Sequence, residues 1–319
     1  MGNLDYKVYE QLILLFIMMI IGFGAVKMKL ITKSVSDGVS MMISRVTMPC
    51  MYISTFMAQT LTAEKMAQCG ITVALSVLYY AVAIAISFIF TALARPPKEQ
   101  RGVYQFLIIF SNAAYMGFPV LRAILGEESI FYGAFFNLPF NILAYSLGIW
   151  LLRRGRSDVK FSKRDMFLNP GTIGVGVGVV LFLLSPIFVG TKFYDVFYTG
   201  VVQKGLASVG DTTVPLSMFV IGTVLATVKP GAVFKNIRVL ITCVIRLLVC
   251  PLVIYLLTMP LGLEYMTRAI PILVSAMPCA VFCVILAKEY GGDEKTASVG
   301  VFISTLASAV TIPLICTLL

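Results

Sequence analysis

Apolar runs of about 20 residues follow one another from end to end of this 319-residue chain, at 8–28, 36–58, 67–94, 102–125, 129–152, 167–188, 202–228, 237–259, 267–289 and 296–318. That length is what an α-helix needs to cross the hydrocarbon of a bilayer. Inside hydrocarbon a helix satisfies its own backbone polar groups, which an open strand or a loop cannot do. The expected fold is therefore an all-α integral membrane protein with ten transmembrane helices, numbered here as spans one to ten. Composition agrees, with 59% hydrophobic and 13% charged residues where a soluble domain carries about a quarter charged. Ten spans use roughly 200 positions and leave only short connections. Asp5 and Glu10 precede the first run and no small-x-small cleavage pattern closes it, so it is read as a retained span and not as a signal peptide.

The same composition removes several chemistries. There is no histidine, which excludes histidine triads, haem ligation and ordinary zinc sites, and no metal or cofactor is expected. The seven cysteines (Cys50, Cys69, Cys243, Cys250, Cys279, Cys283 and Cys316) lie in or beside apolar runs without a CxxC pair, and read as small buried hydrophobes. A formal net charge of +10 could suggest nucleic acid, but the basic residues are scattered among short loops and form no groove. Their distribution instead speaks to orientation. Of the 25 lysines and arginines, 17 fall in alternate loops on one side, among them Lys27, Lys29, Arg95, Lys98, Arg153, Arg154, Lys235 and Lys288; the other side holds 5. The positive-inside rule makes the first side cytoplasmic and places both termini outside, in a plasma (inner) membrane.

Shifting the chain by 166 positions lays Thr47-Met48-Pro49 on Thr213-Val214-Pro215, and Gly126-Glu127-Glu128 on Gly292-Asp293-Glu294. Such self-similarity points to an internal repeat, with residues 1–152 as a first five-helix unit, 153–166 as a cytoplasmic connector and 167–319 as a second unit. Because five is odd, the second unit is expected to be inverted, an arrangement characteristic of secondary transporters.

Span four contains Ser111, Asn112, Ala113, Ala114, Tyr115, Met116, Gly117, Phe118 and Pro119, a polar start followed by helix breakers in an apolar run. Pro119 removes a backbone donor and crowds the preceding turn, and Gly117 weakens the helix. In span nine, Ser275-Ala276-Met277-Pro278-Cys279 occupies the matching depth, the offset placing Asn112 on Pro278. Irregular backbone at membrane depth is tolerated only where it is buried in protein or lines a cavity. A single proline kink can be repaired by neighbouring hydroxyls, but a matched pair makes a substrate site the sharper expectation. Two broken helices crossing near the midplane would turn half-helix N-termini, with partial positive charge, toward an anion.

Span five adds Asn137 and Asn141, in register with Tyr145 at i, i+4, i+8 on one helix face. That stripe either bonds to other helices or lines the substrate cavity. Ionisable groups within spans are functional candidates because hydrocarbon penalises them. Asp211 reads as the one carboxylate deep in a span, and the offset matches it with Arg45. Each lies two residues before its Thr-x-Pro motif, Thr47/Pro49 in span two and Thr213/Pro215 in span seven, which are expected on the scaffold side of the site. Arg45 and Asp211 are thus expected to pair, either bridging scaffold helices or serving charge compensation or proton coupling. Arg122, one turn beyond the span-four break, is placed to attract a carboxylate or to snorkel outward.

Asn112 through Pro119 (NAAYMGFP), Pro215 through Ala226 (PLSMFVIGTVLA) and Ala276 through Tyr290 (AMPCAVFCVILAKEY), followed by Gly300-Val301-Phe302, resemble the auxin efflux carrier family, which takes in plant auxin exporters and prokaryotic malate, malonate and lactate permeases. The resemblance spans essentially the whole chain. It implies a homodimerising scaffold of spans one, two, six and seven, and a transport domain of spans three to five and eight to ten that moves as an elevator. It implies too that the four–nine crossover binds a substrate carboxylate, with Asn112 as a contact and Pro278 as the span-nine crossover proline; Ser111, Ala113, Tyr115, Ser275 and Cys279 flank these positions. The long cytoplasmic loop of the plant exporters is reduced here to about residues 153–166, which favours a prokaryotic permease. Related sodium symporters hold sodium with acidic and amide side chains near their crossover, whereas this span nine offers Ser275 and Cys279. A small organic anion moved with protons or by facilitated diffusion fits better.

The expected function is that of a small-carboxylate carrier. An aromatic-carboxylate exporter, and a channel or sensor of the same fold, are the alternatives. An intramembrane enzyme would need a nucleophile with a base or two facing carboxylates, and the chain has no histidine and a single deep carboxylate.

Overall fold

The computed structural model describes residues 2–153, 170–191, 193–227 and 236–319; most of the expected connector lies outside them. Every regular element among the described residues is helical, as the need to satisfy backbone groups within the chain demands. The first half contains α1 (Gly2–Lys27), α2 (Lys33–Met42), α3 (Met48–Met57), α4 (Ala63–Ala94), α5 (Lys98–Ile109), α6 (Phe118–Leu125), α7 (Glu128–Phe136), α8 (Leu138–Leu143) and α9 (Ile149–Leu152). The second contains α10 (Pro170–Phe188), α11 (Lys204–Gly210), α12 (Thr213–Thr227), α13 (Ile237–Val244), α14 (Cys250–Thr258), α15 (Tyr265–Ala276), α16 (Phe282–Tyr290) and α17 (Glu294–Cys316).

Six helical stretches are long and apolar enough to cross a membrane: Ala63–Ala94, Glu128–Leu152, Pro170–Ile187, Tyr194–Ala226, Ile237–Leu261 and Glu294–Cys316. They correspond to expected spans three, five, six, seven, eight and ten. Spans four and nine do not appear among them because each is cut into two shorter helices, α5 with α6 and α15 with α16. Span two carries Asp37 and Arg45, and in span one the apolar stretch is Leu12–Lys27.

Several helices join through a wide turn with i→i+5 bonding, and three of these turns have one cause. Ile43–Thr47 precedes Pro49, Ala113–Gly117 precedes Pro119, and Ile245–Val249 precedes Pro251, each ending two residues before its proline. Proline cannot donate to the carbonyl four residues back and its ring collides with it; one extra residue in the preceding turn relieves both conflicts. These three widened turns therefore each precede a proline, and they re-aim the side chains they carry, including Arg45, Tyr115 and Arg246.

Two packing groups result. In one, α1 lies along α12, α3 against α10 and α11. The α1–α12 approach is set by two glycines: a Cβ on Gly22 would lie 2.1 Å from the Phe219 carbonyl oxygen, and one on Gly222 would lie 1.9 Å from the Met19 carbonyl oxygen. Small residues let backbones meet in this way, the main device of helix packing where lipid removes the hydrophobic drive between helices. In the other group α4 packs on α5, α7 and α15, and α17 on α13, α15 and α16. Phe106, Phe110, Phe131, Phe136 and Tyr79 fill its interior, all essentially unexposed.

Candidate functional site: a crossover of two broken helices

α5 ends at Ile109 because Phe110 turns to extended backbone, φ −102° and ψ 113°. α15 ends at Ala276 where Met277 does the same, φ −66° and ψ 149°. The two extended segments then pair antiparallel, with Ser111 opposite Cys279. The Asn112 N–H donates to the Pro278 carbonyl at 2.8 Å, and the Ala280 N–H to the Phe110 carbonyl at 3.0 Å. This two-bond bridge absorbs backbone groups that both helices have released, as burial at this depth requires. The Cys279 N–H donates to Ser304 Oγ of α17 at 3.1 Å. Beyond the bridge helix resumes in both chain segments, the Asn112 carbonyl accepting from Met116 N and Gly117 N at 3.1 and 2.9 Å.

The resumed helices begin beside one cavity of about 540 Å³, lined by Ser111, Asn112, Ala114 and Tyr115 of span four and by Ala280, Val281 and Phe282 of span nine. A helix start leaves N–H groups unpaired and carries partial positive charge, so two such ends meet in one space. Asn112 is only 3% exposed, and its side-chain Nδ2 has no hydrogen-bond partner among the described residues. A buried amide donor left unpaired is costly, and a carboxylate oxygen in the cavity would satisfy it. Tyr115 Oη reaches span two, 3.0 Å from Ser40 Oγ. Phe140, Asn141 and Tyr145 of span five form another wall, and Arg45 with Lys288 adds positive charge near Asp37 and Glu294.

The sequence candidates therefore separate. Ser111, Asn112, Tyr115, Asn141 and Arg45 line the cavity. Asn137 turns toward span two, its Nδ2 3.5 Å from Tyr52 Oη. Ala113, Ser275 and Cys279 are buried behind the crossover, and Pro278 supplies the bridging carbonyl. Thr47 and Thr213 do not line the cavity; they bond to each other at 2.9 Å between spans two and seven. Pro49 packs against α10 at Gly174, and Pro215 stands in the first turn of α12.

One expected pair does not form. Asp211 Oδ1 lies 3.1 Å from Arg122 Nη2, and the same Nη2 lies 2.9 Å from Glu127 Oε2; Arg45 makes no ion pair among the described residues. The reason is local. Asp211 occupies the joint between α11 and α12, where its side chain is 62% exposed and leans outward toward span four, whereas Arg45 sits on the widened turn that faces the cavity. Sequence reasoning also overlooked Ser40, Thr223 and Phe140 in the wall, and it gave no role to Arg246, a third arginine inside a span beside Arg45 and Arg122. Among the described residues no three His, Cys, Asp or Glu side chains come together as a metal site, and the seven cysteines are unpaired thiols.

The comparisons with known proteins agree on the class of molecule. An uncharacterised transporter of Methanocaldococcus jannaschii is 25% identical over 218 residues, 68% of each chain. An uncharacterised transporter of Methanothermobacter thermautotrophicus is 26% identical over 209 residues, which cover 64% of this chain and 63% of that one, a little under two thirds of the relative. The family model described as membrane transport protein matches residues 7–316. With that match along nearly its whole length, the chain belongs to the membrane transport protein family, the group that includes the auxin efflux carriers.

Proposed function

We propose that this protein is a secondary carrier, not an enzyme, that moves a small organic anion such as malate, malonate or lactate across the plasma membrane by an elevator motion. The observation that carries the reading is the buried Asn112 amide, unpaired at the meeting of two half-helix N-termini in a cavity of about 540 Å³, within the size range of small-molecule sites. Positive helix ends and an unspent donor suit a carboxylate.

The inverted repeat is part of this proposal. In two inverted copies, equivalent residues meet only on the axis that relates them. Thr47 and Thr213 are 166 positions apart and bond at 2.9 Å; Asn112 and Pro278 are also 166 apart and bond through the backbone at 2.8 Å. Both contacts support an axis through the crossover. The packing of α1, α3, α10, α11 and α12 supports a scaffold of spans one, two, six and seven, which would also carry the homodimer contact. With both termini outside, the cavity that reaches Val26, Lys288 and Glu294 opens to the cytoplasm, and the Arg122–Asp211 pair ties span four to span seven on the opposite side.

A second reading, export of an aromatic carboxylate, rests on the rings in the wall: Tyr145 and Phe282 meet edge to face with centroids 5.2 Å apart, beside Phe140 and Tyr115.

Counterflow in proteoliposomes tests both. Unlabelled malate, malonate, lactate or indole-3-acetate is loaded inside and uptake of the labelled acid is followed for the native chain and for Asn112→Ala. Saturable exchange of one acid is expected, reduced about 10-fold or more in the variant through loss of a charge-assisted hydrogen bond. Full exchange by the variant would remove Asn112 from the site. No exchange of any of the four acids by the native chain would favour a sensor or another cargo, and unsaturable flux would favour a channel.

A further inference from the structure

Arg246 has no exposed surface at all. It projects from the widened turn Ile245–Val249 that Pro251 imposes on span eight, and it reaches the back of the crossover. Each of its five N–H donors is used. Nε donates to the Met277 carbonyl at 3.1 Å. Nη1 donates to Tyr79 Oη at 2.5 Å and to the Ile108 carbonyl at 2.9 Å. Nη2 donates to the Val274 and Ser275 carbonyls at 3.3 and 2.8 Å. Tyr79 Oη in turn donates to the Ile109 carbonyl at 3.1 Å.

Every one of these acceptors is neutral, and among the described residues no ion pair includes Arg246. A buried cation normally demands a carboxylate or a dense set of dipoles. Here the dipoles are the last carbonyls of α5 and α15, the negative ends of the two half-helices that break at the crossover, together with the carbonyl of the extended Met277. Half-helix C-termini and unwound carbonyls are the groups with which secondary transporters coordinate a coupling cation. Five oxygens converging on one buried positive charge make a cation site whose occupant is covalently attached. At the equivalent position of the first repeat, 166 residues earlier, stands Tyr80, so the charge is present once and serves both broken helices.

We propose that Arg246 is the built-in cation of this crossover: its guanidinium fills the position of a coupling ion, holding the C-terminal ends of α5 and α15 in register so that the anion site, where helix resumes beyond the bridge in both segments, is assembled with no metal ion bound. The inference rests on the carrier reading above and assigns Arg246 as a positioning residue, acting on the anion through the helices it joins. A tethered charge cannot dissociate on either side of the membrane, so transport draws no energy from a sodium gradient.

The test uses the full chain in proteoliposomes for counterflow of the four acids named above, and in detergent for thermal unfolding. Native exchange is expected to run at one rate in sodium, potassium and choline chloride. Arg246→Ala is expected to lose exchange about 100-fold, since several buried carbonyls lose their partner together. Millimolar guanidinium or sodium, small enough to enter the vacated space, is expected to restore part of the exchange, and choline to restore none. The unfolding midpoint of Arg246→Ala is expected to rise with millimolar guanidinium, by ligand linkage to the folded state, while the native midpoint does not move.

Sodium-dependent native exchange would overturn the proposal. So would a folded Arg246→Ala that exchanges at the native rate in choline, or one that no small cation restores or stabilises. If the native chain exchanges none of the four acids, the carrier reading fails separately, and the unfolding midpoints decide the cation question. If Arg246→Ala does not fold, Arg246→Lys and Arg246→Met decide instead: a folded Lys variant beside an impaired Met variant supports the built-in charge, and a Met variant as good as the native chain overturns it.

Discussion

Asn112→Asp is expected to abolish anion exchange at neutral pH while leaving the protein folded. The two side chains have nearly the same shape, so the backbone bridge from Asn112 N to the Pro278 carbonyl is preserved. What changes is the charge in the cavity wall. A carboxylate there faces the carboxylate of the substrate, and two like charges 4 Å apart at an effective dielectric of 20 repel by about 4 kcal/mol, roughly a thousandfold in binding. The sign of the pH response follows. Protonation turns the introduced group into a neutral donor, so exchange should recover as pH falls and be lost again as it rises, opposite to simple acid inactivation. Counterflow across a pH series with the native chain alongside makes the measurement. Undiminished exchange at neutral pH would place the anion elsewhere in the cavity, with Arg45 and Lys288 as the next positions to alter.

Gly222→Val is expected to be the most damaging single change to the scaffold. Any Cβ at this position falls 1.9 Å from the Met19 carbonyl oxygen and 2.8 Å from Phe23 N, and both are backbone atoms of a long helix that cannot rotate out of the way. Overpacking a well-filled interior ordinarily costs about 1–3 kcal/mol, and here α1 and α12 must separate along their length, so the loss should lie at or above the top of that range. The internal control is Gly24→Ala on the facing helix α1, where a Cβ meets nothing within 4 Å and improved helix propensity favours the change. Thermal unfolding and size-exclusion profiles of the two variants after extraction should diverge sharply. Equal behaviour would mean that α1 does not hold α12 at this distance in the membrane.

The break in span four was legible because its causes are local. Pro119 and Gly117 sit in an apolar run, and a proline that removes a donor and crowds the preceding turn is a local helix breaker. The same holds for the helical class of the fold, which follows from run length and hydrocarbon chemistry before any packing is considered. The two pairs that the 166-residue offset aligns, Thr47 with Thr213 and Asn112 with Pro278, are both in hydrogen-bond contact. The offset did not foretell the partner of Asp211, because an alignment of sequence positions carries no information on which side chains meet in space. Asp211 turned away to Arg122, a neighbour whose identity depends on how span four lies against span seven.

Arg246 shows the limit most plainly. In sequence it is one arginine in an apolar run, no different in kind from Arg45 or Arg122. Four of its five acceptors are main-chain carbonyls of Ile108, Val274, Ser275 and Met277, and a carbonyl has no residue identity to read. By itself the sequence determined that this chain is a helical membrane protein, where its helices break, and which family of transporters it joins, since hydropathy, proline and motif act locally. Which backbone groups bridge the broken ends, which charges pair and which cation the crossover encloses were decided only by the tertiary structure, because backbone dipoles and long-range contacts exist only once the helices have packed.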